Sequence, residues 1–172
     1  LYLFALARED GPYGEAVPAG VLYVPARDKL VSAQCRDDEQ AQKKRGDARR
    51  RSGLLLSDAA VLEAMEHGAQ PVYLPVKYDG DGGAAGAALA SAEQLGALSR
   101  HISLLLSRMA GELRQGGIAA DPWFRSAAEN ACATCDFRDA CHFDEQTDRR
   151  RVLEKLKTED VWQRIEQEVR NG

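Results

Sequence analysis

The sequence predicts a mixed α/β chain in which helices predominate, and three observations carry that expectation. Leu95, Leu98, Ile102, Leu105, Met109 and Leu113 recur at spacings of 3, 4, 3, 4 and 4, one face of a long helix. Residues 17–24 and 70–78 carry strand-type residues in near alternation. Residues 36–51 hold seven basic and four acidic side chains without an apolar stripe, which predicts an exposed helix or a mobile loop.

In chain order, residues 1–8 read as the C-terminal part of a buried helix, and Gly11, Pro12 and Gly14 mark a turn over 9–15. The strand at 17–24 ends at Pro25, and 29–33 continues it or forms a neighbour. After the charged segment, Ser57 or Asp58 caps a short helix through Met65 that stops at Gly68. The strand at 70–78 turns at Asp79-Gly80-Asp81-Gly82-Gly83, and 84–90 returns beside it. That glycine-rich turn lacks the spacing of a phosphate-binding loop. Ser91 and Gln94 form a capping box at the start of the long helix, whose apolar stripe must face a core, and Gly116 and Gly117 stop it. Residues 118–144 read as irregular. Residues 149–169 read as helical, with Val152, Leu156, Trp162, Ile165 and Val169 on the apolar side and a break at Thr158.

Composition narrows the function classes. Of 172 residues, 44% are hydrophobic and 29% charged, with a net charge of −4, an ordinary globular balance. No run approaches the roughly 20 apolar residues of a spanning helix, so no membrane role is expected. The opening Leu-Tyr-Leu-Phe-Ala-Leu lacks the pattern of a secretory signal and reads as the interior of a longer protein. Four cysteines are too few for a secreted disulfide scaffold, so a reducing, cytoplasmic setting is expected.

Three of those cysteines fall within ten residues, as Cys132-Ala-Thr-Cys135-Asp-Phe-Arg-Asp-Ala-Cys141. A C-x-x-C turn places two thiolates on one side of a tight loop, and a third close behind can close a metal or cluster cage. Phe137 and Phe143 would shield it, with Trp123 packing over the loop. A fourth ligand is missing. His142 would complete a zinc site, but it directly follows Cys141 and reads as an exposed neighbour; Cys35 reads as an inert thiol. The remaining source is a ligand outside this chain. His67 and His101 read as helix-end and helix-surface residues.

Several stretches resemble the C-terminal region of the AddB subunits of bacterial AddAB helicase–nucleases. They are residues 1–6, 17–27, 51–58 and 61–66 and the long helix leading to Cys132, so the resemblance runs from Leu1 to about Asp144. It implies a fragment of a RecB-like nuclease of the restriction-endonuclease-like PD-(D/E)XK fold, with a C-terminal iron–sulfur loop and helix. Residues 1–120 would be the later half of the nuclease core, 121–147 the cysteine loop and 148–172 the closing helix. Cys132, Cys135 and Cys141 would hold a [4Fe–4S] cluster with a fourth Cys outside this chain, as a structural staple. Tyr2 would be the Tyr of the family's Q-x-x-x-Y motif. The whole protein would be an ATP-dependent DNA exonuclease of double-strand-break repair and recombination, using Mg²⁺ and paired with an AddA-like helicase–nuclease subunit. Lys43, Lys44, Arg45, Arg49 and Arg50 would be available to the DNA backbone, although interleaved acids also suit a solvated helix.

One departure follows from the residues themselves. Metal-assisted phosphodiester cleavage needs carboxylates for the metal and, in this nuclease class, an acid two residues before a Lys. None of the six Lys here has one, so this stretch is expected to be inactive by itself. The same tail spacing suits a CRISPR-associated RecB-like nuclease, and a non-catalytic zinc-binding interaction module is a further alternative.

Overall fold

The computed structural model describes every residue except 8–15, 28–29, 33–38, 69, 80–82 and 145. The turn at 9–15, Cys35 and the centre of the 79–83 turn therefore lie outside the described residues. The architecture mixes helix and sheet in two compact units, Leu1–Ile102 and Ser103–Gly172.

The first unit is organised around a strand that the sequence patterning does not reveal. β2 (Ser52–Leu56) lies between β1 (Gly20–Tyr23), antiparallel to it, and β5 (Leu89–Ala90), parallel to it. Leu54-Leu55-Leu56 is a continuous apolar run, the signature of a strand covered on both faces, and it shows no alternation to detect. Gly20 and Gly53 have φ of 140° and 155°, and a Cβ on Gly53 would overlap the Val21 carbonyl oxygen. Only glycine lets β1 and β2 approach there. β1 is shorter than the expected 17–24, since Pro18 has no N–H to give a ladder. Residues 30–32 form no strand.

Leu55, Leu62, Leu74 and Val76 form the buried cluster, with Leu22, Ala84 and Leu89 packed at its edge. Leu62 comes from α3 (Ala59–Met65), which starts where expected: Asp58 caps it, its Oδ1 accepting from the Val61 N–H at 3.0 Å. The helix gives way to extended backbone at Glu66, before Gly68. α1 (Tyr2–Leu6) is a helix as expected, but it contains no buried residue. Leu3, Phe4 and Ala7 are half-buried and the rest exposed, because only one face meets the unit, at an apolar cleft of about 420 Å³ shared with Leu56 and Leu95. The charged segment is α2 (Glu39–Arg49), exposed apart from Ala41 and Ala48.

Residues 70–78 depart most from expectation. Only Lys77–Tyr78 is a strand, β3, paired antiparallel with β4 (Ala84–Ala85), and the backbone bends over 72–75. Pro71 and Pro75 remove two ladder donors, and Glu66 takes the next ones. Its Oε1 accepts from the Val72 N–H at 2.8 Å and its Oε2 from the Leu74 N–H at 3.0 Å, with the Tyr73 N–H between. This carboxylate anchors the segment that inserts Leu74 and Val76 into the core. Burial pushes the Glu66 carboxyl up, but the three N–H donors and Arg51 outweigh it and hold it below the usual range. A depressed carboxylate stabilises the fold above its unfolded value and loses that contribution as pH falls through the folded value. Urea midpoints of the chain are thus expected to hold steady above about pH 5 and to fall below it. Glu66→Gln is expected to lower the neutral-pH midpoint and flatten the acid decline; identical profiles would remove the anchor role.

The long helix is α4 (Ala92–Arg114), opened by the expected capping box: the Ser91 N–H donates to Gln94 Oε1 at 2.9 Å and the Gln94 N–H to Ser91 Oγ at 3.2 Å. Gly116, with φ of 79°, ends it. The stripe meets a core only in part. Leu95 is buried, and Leu98, Ile102 and Leu105 are half-buried, whereas Met109 and Leu113 are 50% and 66% exposed.

The second unit holds β6 (Trp123–Phe124) and β7 (Arg151–Val152) in parallel, α5 (Arg138–Cys141) and α6 (Thr158–Asn171). Thr158 is the start of the last helix rather than a break within it. Residues 151–152 are claimed by pairing with β6, a non-local partner that helical periodicity does not register. α6 buries Ile165 and half-buries Trp162 and Val169, three of the five residues expected on its apolar side.

Candidate metal centre

The cysteine loop is suspended between β6 and β7. Trp123 pairs with Arg151 and Phe124 with Val152, so the chain before the cysteines is tied to the chain after them. The Arg151 N–H donates to the Pro122 carbonyl at 2.9 Å, and its side-chain Nε to the Asp121 carbonyl at 2.8 Å. The Arg150 guanidinium lies 4.1 Å from the centre of the Phe124 ring, a cation–π contact that covers the strand pair.

From that base the loop is built of turns. The Ala131 N–H donates to the Trp123 carbonyl at 3.0 Å, and Asn130 bridges to Phe124. Cys132 is half-buried, its N–H held by Asn130 Oδ1 at 3.0 Å. The Cys135 N–H reaches the Cys132 carbonyl at 3.5 Å, a loose turn that keeps the two thiols on one limb. Arg138 N–H to Cys135 O, at 3.3 Å, and Cys141 N–H to Phe137 O, at 2.9 Å, wind the second limb into the single turn of α5. Cys135 and Cys141 are exposed, and all three thiols are free.

This donor set suits a thiolate-held group in kind: three free thiols on one short loop of successive turns. The arrangement is open. Among the described residues no three His, Cys, Asp or Glu side chains are gathered closely enough to hold a metal. Of the expected shields, Phe143 is half-buried beside Trp123 and Cys132, whereas Phe137 is 75% exposed. His142 is exposed as expected, with φ of 54° in the left-handed region that ends α5.

The other candidate residues lie in the first unit. Tyr2 is 86% exposed on α1. Lys43, Lys44, Arg45 and Arg49 are exposed on α2, and Arg50 directly after it. Helical spacing spreads those cations around α2 and does not gather them on one face. Glu66 and Asn130 are structural organisers that the sequence patterning does not single out. For Asn130 a signal existed, an Asn two residues before the first Cys, where an amide oxygen naturally receives a backbone N–H.

No family model matches the chain. Curated relatives nevertheless align along nearly all of it. A protein of Symbiobacterium thermophilum is 35% identical over 174 residues, covering 96% of this chain and 14% of its own length. One of Clostridium kluyveri is 25% identical over 98% of this chain and 15% of its own length, and one of Moorella thermoacetica 34% identical over 77% and 12%. The similarity is that of one segment within much larger multi-part chains. All three relatives are named as ATP-dependent helicase/deoxyribonuclease subunits of the AddB kind. This chain belongs to that AddB family, and spans about one seventh of the length of the relatives it matches. Among the described residues, no helix is long and apolar enough to cross a membrane.

Proposed function

We propose that this chain is the end of a PD-(D/E)XK nuclease domain in an AddB-type helicase/deoxyribonuclease protein that degrades DNA ends during recombinational repair in the cytoplasm. The observation that carries the reading is the 35% identity running through 96% of the chain. In this proposal Cys132, Cys135 and Cys141 supply three ligands to a [4Fe–4S] cluster and a Cys elsewhere in the full-length protein supplies the fourth. When bound, the cluster acts as a cross-link, its binding energy becoming folding energy of the loop. The thiolates hold it, Phe143 and Trp123 keep water from the Cys132 side, and the β6–β7 pair transmits the restraint to both flanks.

Catalysis is assigned elsewhere. With no acid two residues before any Lys, the carboxylates for Mg²⁺ and the Lys that orients water belong to other parts of the full-length protein. Tyr2 is proposed to face that centre, and Lys43, Lys44, Arg45, Arg49 and Arg50 to meet the DNA backbone, a contact that weakens as salt rises. The partner is a helicase–nuclease subunit of the AddA type.

The test uses linear duplex DNA with ATP and Mg²⁺. The full-length protein with its partner is expected to release short products from the ends, and this chain alone to release none. Cleavage by the isolated chain, lost on changing one of its own carboxylates, would show that the catalytic inventory is misplaced. A full-length protein that carries stoichiometric zinc and leaves DNA intact would favour an interaction module.

A further inference from the structure

The hydrogen bonds of the cysteine loop are distributed unevenly, and one side chain accounts for most of the order at its first thiol. Asn130 Nδ2 donates to the Ser126 carbonyl at 3.1 Å and to the Ala127 carbonyl at 2.9 Å, while Oδ1 accepts from the Cys132 N–H at 3.0 Å. Its backbone bridges to Phe124 in β6. The residue thus spans three points: the turn before the loop, the strand beneath it, and the peptide that carries the first sulfur. The Cys141 limb depends instead on the backbone turn of α5.

We infer that Asn130 is a positioning residue for the thiolate site, holding Cys132 in place before any metal arrives so that the Cys135 and Cys141 limb closes onto a fixed first ligand. The inference rests on the metal reading proposed above. Its physical basis is that a ligand already ordered loses less conformational entropy on binding. Groups that orient a metal ligand through hydrogen bonds typically change affinity by about 10–100-fold when removed. Both donors and the acceptor of Asn130 are engaged, so each replacement removes a defined part. Asn130→Ala removes all three bonds; Asn130→Asp keeps an acceptor for the Cys132 N–H and loses both donors.

The experiment takes the full-length protein, purified without air, and follows the loss of visible absorption and of protein-bound metal after a chelator is added. Asn130→Ala is expected to release its metal about 10–100-fold faster than wild type, and Asn130→Asp at an intermediate rate. Far-ultraviolet circular dichroism reports whether either variant is misfolded; if Asn130→Ala is, Asn130→Asp carries the comparison alone. A metal-loaded wild type whose folded variants release at the wild-type rate overturns the role of Asn130 and leaves the metal reading intact. A wild type that binds no metal overturns both.

Discussion

Cys135→Ala in the full-length protein is expected to lose iron retention almost entirely, by at least the roughly 10–100-fold that removal of an outer supporting group costs a metal site. Cys135 stands at the hinge between the two limbs of the loop, taking a turn contact from Cys132 and giving its carbonyl to Arg138. Without its sulfur, neither limb has a shared centre. Because binding energy and loop folding are the same quantity here, the melting temperature is expected to fall together with iron content, and DNA-end binding with it. Iron per polypeptide, melting and DNA binding measured on one preparation check this. Unchanged melting and binding would contradict the staple role even if iron were lost.

Leu55→Ala is expected to carry the largest cost in the first unit. Leu55 is fully buried at the centre of the three-stranded sheet, against Leu62, Leu74 and Val76. Truncation removes apolar contact and leaves a cavity that strands on both sides prevent from closing, a loss of about 2–5 kcal/mol. Leu55→Met, close in volume, is expected to cost less than about 1.5 kcal/mol. Urea unfolding of the chain measures both. Equal midpoints for Leu55→Ala and wild type would place the core elsewhere.

What was legible in the residues depended on how local the cause was. The Ser91–Gln94 capping box, the Asp58 cap and the turn at residue 79 each arise within a few residues, and each forms. β2 was hidden because a strand covered on both faces shows no alternation. Residues 70–78 have the composition of a strand, yet Pro71, Pro75 and the carboxylate of Glu66 divert their backbone donors. Residues 151–152 fit a helical pattern, and pairing with Trp123 and Phe124 overrides it. The cysteine spacing was readable because so few other cysteines compete with it. The Asn130 brace was not, since it depends on where the 126–127 carbonyls come to lie.

The iron–sulfur staple is tested most directly by metal analysis, with visible absorption, of the full-length protein isolated without air. The expected result is a brown protein that contains iron and bleaches when Cys132, Cys135 or Cys141 is replaced. A colourless protein holding zinc and no iron would contradict it.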